Sequence, residues 1–205
     1  AGRRWYEMAV QSYREANYTM ALDRLDRALR EGAAQSDVLE MRAKILGALG
    51  DTAAQRRVLE QLVQIDPGRT RAVIALALLQ EQQGLWQEAV RTLEQGLAAT
   101  PTDPQLYSRL ASLHRRQRQP MQALEILRRG LEATDDPNLA LALAEAQDAM
   151  GDWRGALALY AKLANDADAN VRARALESLG DSYSRRGMAE QAVEAYVEAA
   201  ATRGQ

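Results

Sequence analysis

Apolar residues along this chain recur at helical spacing, in pairs of blocks that are separated by a short polar break. One pair runs from Val73, Leu76 and Ala77 across a break to Ala89 and Leu93. Apolar positions three and four residues apart form one stripe on a helix, and that stripe faces a core. The pattern therefore predicts a helix, a turn and a second helix as a unit that repeats along the chain.

Two columns of equivalent positions define the period. One column holds a small residue, as expected where two helix backbones approach closely, and the other holds a bulky residue that fills the space between hairpins. Both recur at intervals of 33 to 36 residues: Ala9, Ala43, Ala77, Ala111, Ala144 and Gly180, and Leu25, Leu59, Leu93, Leu127, Tyr160 and Tyr196. A fixed period of this length predicts a repeat architecture. We expect one segment over 1–205, with repeats at about 2–35, 36–69, 70–103, 104–136, 137–170 and 171–205.

The breaks inside the units carry residues that end one helix and begin the next. Gly50, Gly84, Gly151 and Gly187 suit a left-handed helix end, while Arg118 stands where the fourth unit would have this glycine. An Asp or a first-turn Pro follows several of the breaks and can begin the second helix. The connections between units contain further helix stoppers, so we expect loops there to absorb the changes in period.

The repeating unit resembles the tetratricopeptide repeat, a helical hairpin of 34 residues. The last unit shows the resemblance best, through Leu176, Leu179, Gly180, Tyr183, Gly187, Ala192, Tyr196 and Ala199. Ser12 and Gln80 depart from it, because an aromatic residue is common at their positions. The resemblance implies an all-α fold, a right-handed superhelical solenoid of six hairpins. Its first helices would line a concave groove.

Composition and charge exclude several kinds of function. With 26 basic and 28 acidic residues the net charge is −2, which provides no overall field to attract nucleic acid. No apolar run is long enough to span a membrane, so we expect no membrane insertion by this segment. Cysteine is absent. The positive charge is nearly all arginine, which favours a GC-rich bacterial source. The first residue is not Met, and Trp5, Met8 and Ala9 already suit a helix, so we expect a segment excised from a longer chain.

Candidate residues for catalysis, cofactors or metals are better interpreted as structural. His114 is the only histidine, and its helix position matches packing positions of other units. Trp86 and Trp153 follow directly after a turn, where an aromatic ring packs between two helices. Asp166 and Asp168 lack the spacing of a calcium loop and suit a helix cap. We therefore expect no catalytic residue, no cofactor and no metal site.

The family geometry predicts which side chains line the groove. The resemblance implies a non-catalytic scaffold that binds a protein or an extended peptide there. A patch of Ile74 and Leu78 beside arginines would suit a locally acidic partner with aliphatic anchors. The expected binding residues are Tyr6, Val10, Tyr13, Lys44, Ile74, Leu78, Arg109, Arg115, Arg116, Leu141 and Glu145.

Other functions and contexts stay open at this point. The groove could instead bind an extended polysaccharide, or nucleic acid, for which the charge is unsuited. The resemblance extends to periplasmic repeat regions of bacterial exopolysaccharide export proteins, where the segment would dock a component of a biofilm machine. This favours the periplasm over the cytoplasm without deciding the compartment. Val193, Tyr196 and Val197 on the last helix predict either end-to-end self-association or stabilisation by downstream sequence.

Overall fold

Twelve α-helices and no strand are present in residues 1–204, the part of the chain that the computed structural model describes. The predicted all-α fold of six hairpins is confirmed, whereas the repeat boundaries and the single-segment organisation stay predictions. The helices are α1 Gly2–Arg14, α2 Tyr18–Arg30, α3 Gln35–Ala48, α4 Thr52–Ile65, α5 Thr70–Gln82, α6 Trp86–Ala99, α7 Pro104–Arg116, α8 Pro120–Thr134, α9 Pro137–Ala149, α10 Trp153–Leu163, α11 Ala169–Arg185 and α12 Ala189–Arg203.

Each hairpin turn contains one residue in the left-handed conformation. Four of the turns use glycine, with φ from 73° to 89°, at Gly50, Gly84, Gly151 and Gly187. The other two use Ala16, with φ 57°, and Arg118, with φ 56°. A side chain with a Cβ is unfavourable in this conformation. The turn geometry is therefore the same in all six hairpins although two of them lack the favourable residue.

Side chains at the helix starts accept hydrogen bonds from the first free backbone amides. Asp51 accepts from the amide of Ala54 and Asp152 from that of Gly155, at 2.9 and 3.1 Å. Asp168 accepts from Asn170 at 2.8 Å at the start of α11. The predicted capping role of this acidic connection is confirmed. Such caps stabilise a helix start by about 1 kcal/mol each.

The first three hairpins, α1 to α6, form one compact unit over Ala1–Pro101, the N-terminal unit. Its column positions are buried: Ala9, Ala43 and Ala77 of the small column, and Leu25, Leu59 and Leu93 of the bulky column. Around Leu25 a cluster joins α1, α2 and α3 through Val38, Met41 and Ile45. The second helix of one hairpin thus packs against the first helix of the next.

The last three hairpins, α7 to α12, form a second compact unit that begins at Thr102, the C-terminal unit. Its central cluster joins α9, α10 and α11 through Leu141, Tyr160, Leu163, Val171 and Ala175. The bulky column is buried at Leu127 and Tyr160, but Tyr196 on α12 is 38% exposed. Its ring lies against Gly180, where a Cβ would come within 2.6 Å of the ring. The absence of a side chain at Gly180 therefore permits the close packing of α11 and α12.

Two departures from the family pattern are compensated by polar pairs. Ser12 is fully buried and accepts a hydrogen bond from Arg24, which also donates to the carbonyl of Met8. Gln80 is buried and accepts a hydrogen bond from Thr92 at 2.8 Å. Each buried polar group is thus satisfied by a residue on the second helix of its hairpin.

None of the twelve helices is both long enough and apolar enough to cross a membrane, in the part of the chain the structure describes.

Candidate functional site

The first helices of the C-terminal unit, α7, α9 and α11, lie side by side, and two cavities open along them. The first cavity, of about 300 Å³, is bounded mainly by small side chains of α7 and α9. It is lined by Ser108, Ala111, Ser112, Arg115, Ala123, Leu127, Ala142, Glu145, Ala146 and Ala149. Its floor is apolar, and Arg115 is the only cation among these lining residues.

The second cavity, of about 450 Å³, lies between α9, α10 and α11. It is lined by Glu145, Ala149, Tyr160, Ser178, Asp181 and Arg185. Glu145 and Ala149 line both cavities. The two cavities therefore adjoin at these residues, and we call them together the C-terminal groove.

The groove is open because the side chains along it are short. Helix α9 presents Ala142, Ala146 and Ala149 to the cavities, and α7 presents Ser108 and Ser112. None of these five side chains is long enough to fill the space beside it. A ligand can therefore approach the helix backbones here, as ligands do in preformed concave sites.

Of the predicted binding residues, the structure brings Arg115 and Glu145 together on the wall of the first cavity. Arg109 is partly exposed on the same helix, and Arg116 is exposed at its end, but neither lines a cavity described here. Leu141 was expected to line the binding groove, and the structure contradicts this. It is fully buried in the core cluster around Tyr160, so its side chain cannot contact a ligand.

A buried ion pair holds α9 and α11 together. The Asp148 side chain is 1% exposed and accepts hydrogen bonds from Arg185 and Arg186. Burial raises the pKa of Asp148, but hydrogen bonds from Arg185, Ser182 and Arg186 outweigh it, and the pKa is below its ordinary value. Arg186 also lies over the ring of Trp153, 5.5 Å from its centroid. Trp153 is partly exposed and contacts the next hairpin through Arg186, whereas its packing between the helices of its own hairpin stays a prediction.

Tyr160 forms the back of the second cavity and is only 1% exposed. Its hydroxyl has no hydrogen-bond partner among residues 1–204. Burial raises the pKa of Tyr160, and the negative charges of Glu145 and Asp148 raise it further. The hydroxyl end therefore lies in a negative field at the back of the cavity.

In the N-terminal unit, the predicted residues lie on the first helices of their hairpins. Tyr6, Val10 and Tyr13 of α1 are partly exposed and pack against the cluster around Leu25. The Tyr13 ring also contacts Tyr18, with centroids 5.8 Å apart. On α5, Ile74 and Leu78 are both partly exposed.

Lys44 is engaged within the N-terminal unit by a network of charges. It is 2.9 Å from Glu40, which also accepts a hydrogen bond from Arg69 at 2.7 Å. Arg69 bonds Asp37 and Asp66 as well, each at 2.9 Å. Burial and the charge of Asp37 raise the pKa of Tyr6, which lies beside this network. Lys44 and Arg69 are therefore both paired with carboxylates of the same unit.

His114 is partly exposed, and its Nδ1 is 2.8 Å from Oε1 of Gln119 in the hairpin turn. Trp86, the first residue of α6, is also partly buried. His114 thus contacts the turn of its own hairpin, whereas the packing of Trp86 between two helices stays a prediction.

Two tetratricopeptide repeat models match the chain, one over residues 46–113 and another over residues 139–171. These two stretches of the chain match tetratricopeptide repeats. Both matches fall on hairpins that the structure shows, and the repeat family typically forms non-catalytic scaffolds that mediate protein–protein interactions. A comparison with curated protein sequences gives no significant match.

Solved repeat structures share this fold at low sequence identity. One is the C-terminal part of a TPR repeat-containing protein from Cytophaga hutchinsonii, with a TM-score of 0.73 and 20% identity over 98% of this chain and 83% of that one. PilF from Pseudomonas aeruginosa gives a TM-score of 0.66 at 15% identity, covering 95% and 88% of the two chains. YrrB, described as a TPR protein with an unusual peptide-binding site, gives 0.60 at 18%, covering 88% and 93%. These likenesses show the fold.

Several residues of the C-terminal groove were not among the predicted binding residues. Ala142, Ala146 and Ala149 carry no chemical signal, because an alanine in a helix is equally compatible with a core, a surface or a cavity wall. Tyr160, by contrast, did carry a signal in the sequence. It stands in a column that holds leucine in four of six units, and the added hydroxyl marks a different environment.

Proposed function

We propose that this chain is a scaffold that holds an extended segment of a partner protein in the C-terminal groove. The observation that carries the proposal is that the two cavities adjoin at Glu145 and Ala149, beside the short side chains of α7 and α9. Repeat proteins of this family bind proteins and peptides, and the similar structure YrrB is described as having a peptide-binding site. An extended peptide is narrow enough to follow such a groove.

The first cavity suits an aliphatic side chain. Ala111, Ala123, Leu127 and Ala146 provide apolar walls around about 300 Å³, which is ample for a leucine or an isoleucine. Burying such a side chain contributes roughly 1.5–3 kcal/mol. The cavity therefore supplies the anchor of the proposed peptide.

Arg115 at the rim of the same cavity suits a carboxylate next to that anchor. Arg115 is exposed, and a guanidinium can donate two parallel hydrogen bonds to one carboxylate. The proposed partner is therefore locally acidic beside its aliphatic residue. Ser108 and Ser112 line the same wall and can exchange hydrogen bonds with a peptide backbone.

In the N-terminal unit, we propose further contacts to partner chains through its exposed inner residues. Ile74 and Leu78 offer apolar surface on α5, and Tyr6, Val10 and Tyr13 offer it on α1. Replacing both Ile74 and Leu78 by Asp should weaken partner binding while the melting temperature stays within a few degrees. Unchanged affinity in calorimetry would exclude α5 from the interface.

The test of the proposed groove is a selection of random twelve-residue peptides on the full chain, followed by titration of the selected peptides against variants. Ala146→Leu should fill the first cavity and weaken the peptides at least about tenfold. Ala161→Leu is the matched control, because Ala161 is exposed on α10 and lines neither cavity. Equal affinity for both variants would contradict binding in the groove.

Charge at the rim is tested in the same titration. Arg115→Glu should weaken acidic peptides and reduce the salt dependence of their association. Arg129→Glu, on the exposed face of α8, is the matched control. If Arg129→Glu had the larger effect, the convex side of the unit would be the binding surface.

The exposed face of α12 supports a separate proposal of self-association. Val193 and Val197 are 60% and 63% exposed, and Tyr196 lies beside them at 38%. We propose that this face packs against a second copy of the chain, end to end. Sedimentation should show association that increases with concentration and disappears in a Val193→Lys, Val197→Lys variant. A monomer at all concentrations would refute it.

We also propose that the segment works in a bacterial polysaccharide export machine, on the basis of its composition and its resemblance to repeat regions of such proteins. It predicts that the gene lies beside genes of polysaccharide synthesis or export. A gene neighbourhood without them would remove the basis of this proposal.

A further inference from the structure

Tyr160, a residue of the bulky column, lines the second cavity. Equivalent positions hold four buried leucines and one exposed tyrosine: Leu25, Leu59, Leu93, Leu127 and Tyr196. Tyr160 is as buried as the leucines, yet its hydroxyl has no hydrogen-bond partner among the residues described, 1–204. The ring is buried, whereas the hydroxyl opens onto the second cavity. This hydroxyl is therefore available to form a hydrogen bond with a group that enters the cavity.

The charges around the same cavity are predominantly negative. Glu145 and Asp181 line it and are exposed. Glu145 accepts one hydrogen bond from Ser178 at 3.0 Å, and Asp181 accepts one from Tyr196 at 2.7 Å. Both donors are neutral hydroxyls, so both carboxylates keep their charge.

Arg185, the cation in the lining, forms its ion pair with Asp148 and not with Glu145 or Asp181. Its guanidinium is bonded to Asp148, which also binds Arg186. The second cavity thus combines two carboxylates with a hydroxyl that can accept a hydrogen bond.

We infer that the second cavity binds a basic side chain, a lysine or an arginine, of the peptide held in the groove. This inference rests on the proposed function and names the residue that the second cavity selects. The ammonium or guanidinium lies between Glu145 and Asp181 and donates to the Tyr160 hydroxyl, while the alkyl stem packs on Ala149. Because Glu145 and Ala149 also line the first cavity, the basic residue follows closely after the aliphatic anchor.

The inference is tested with single-residue probes, which need only the second cavity. N-acetyl-lysine methylamide and N-acetyl-arginine methylamide are titrated into the isotope-labelled full chain, and backbone amide shifts are followed by NMR. N-acetyl-norleucine methylamide, similar in length but uncharged, is the control. We expect saturable shifts on α9 and α11 around Glu145 and Asp181 with the basic probes only. Equal shifts with norleucine, or no shifts with the basic probes, would overturn the inference.

The Tyr160→Phe variant separates a binding role from a structural one. Removing a hydroxyl that has no partner should leave the melting temperature unchanged or raise it, yet weaken the basic probes at least about threefold. Glu145→Gln and Asp181→Asn should each weaken them by a similar or larger factor. Glu194→Gln, an exposed carboxylate on α12 that does not line the cavity, is the matched control. If Tyr160→Phe lowered the melting temperature and left the probe affinity unchanged, the hydroxyl would be structural.

Selected peptides distinguish this inference from the proposed function. If they bind in the groove but substitution of their basic residue by norleucine has no effect, only the inference about the second cavity fails. If Ala146→Leu leaves peptide binding intact while the basic probes still shift α9 and α11, the proposed peptide groove fails and the cation site stands.

Discussion

The two units of this chain are built from the same hairpin but use their first helices in opposite ways. In the N-terminal unit, Glu40 on α3 forms ion pairs with both Lys44 and Arg69. In the C-terminal unit, α7 and α9 carry serines and alanines that line the first cavity, and the second cavity adjoins it between α9, α10 and α11. The backbone framework is shared, so the difference lies in side-chain length and charge alone.

This contrast shows how a repeat protein can specialise one stretch of its surface without changing its fold. Long charged side chains fill a groove with internal ion pairs, whereas short ones leave space for a ligand. A cavity of about 500 Å³ lies in the N-terminal unit at the edge formed by α1 and the α2–α3 connection. It is lined by Arg3, Tyr6, Glu7, Gly32, Ala33, Ala34 and Asp37. It does not extend along the first helices as the C-terminal groove does.

The largest expected effect concerns the core that both units share. Leu59→Ala and Leu127→Ala remove equivalent buried side chains, 3% and 5% exposed, and each should lower the free energy of unfolding by about 2–5 kcal/mol. Urea titration followed by circular dichroism measures both. Similar losses would show that the units differ only in their surfaces. A loss below about 0.5 kcal/mol at Leu127 would mean that the groove floor is not a true core.

A smaller effect is the loss of stability at low pH, to which each of the two ion-pair networks contributes. Burial opposes ionisation of Glu40 and Asp148, but hydrogen bonds from Lys44 and Arg69, and from Arg185, Ser182 and Arg186, lower both pKa values. A carboxylate with a lowered pKa in the folded state stabilises the protein above the ordinary pKa of about 4. That stabilisation is lost as the pH falls through the folded pKa.

Asp148→Asn should therefore lower stability at pH 7 by about 1–3 kcal/mol, because two arginines lose a charged acceptor. Glu40→Gln should cost about 1 kcal/mol or less, since its partner Lys44 is half exposed. Both variants should show a weaker fall in stability between about pH 5 and pH 2 than the parent. An unchanged acid dependence in Asp148→Asn would contradict the lowered pKa.

The smallest effect tests the two turns that lack glycine, one in each unit. Ala16→Gly and Arg118→Gly should each raise the free energy of unfolding by about 0.5–1 kcal/mol, because glycine adopts positive φ without steric cost. Gly84→Ala is the control, with φ 75° and no atom within 4 Å of the added Cβ. It should lose about 1 kcal/mol from backbone conformation alone. If all three were neutral, the turns would not be strained.

The helices could be predicted from the sequence because each signal is local. The columns of small and bulky residues determine the period, and Pro120, Asp152 and Gly187 mark helix ends within one or two residues. The caps and left-handed turns depend only on neighbouring residues. This is why the predicted hairpins agree with the structure along the whole described chain.

The binding surface was harder to predict because it depends on contacts between distant residues. The ion pair of Asp148 with Arg186 joins residues 38 positions apart, and no spacing within one repeat indicates it. Leu141 has the same repeat position as Tyr6 and Ser108, yet only Leu141 is fully buried, because Tyr160 and Val171 close over it. The repeat position tells which helix face a residue occupies, but the neighbouring hairpins decide whether a ligand can reach it.

Because Arg186 lies over the ring of Trp153, the fluorescence of this tryptophan can report on changes in the C-terminal unit. The chain has three tryptophans, and Trp5 and Trp86 belong to the N-terminal unit, so replacing those two by phenylalanine leaves Trp153 as the only indole emitter. Indole emission shifts with the electric field across the ring, and Arg154 and Arg186 place two positive charges 5.9 and 5.5 Å from its centroid. Movement of Arg186 away from Asp148 would change that field and could be followed by fluorescence in real time.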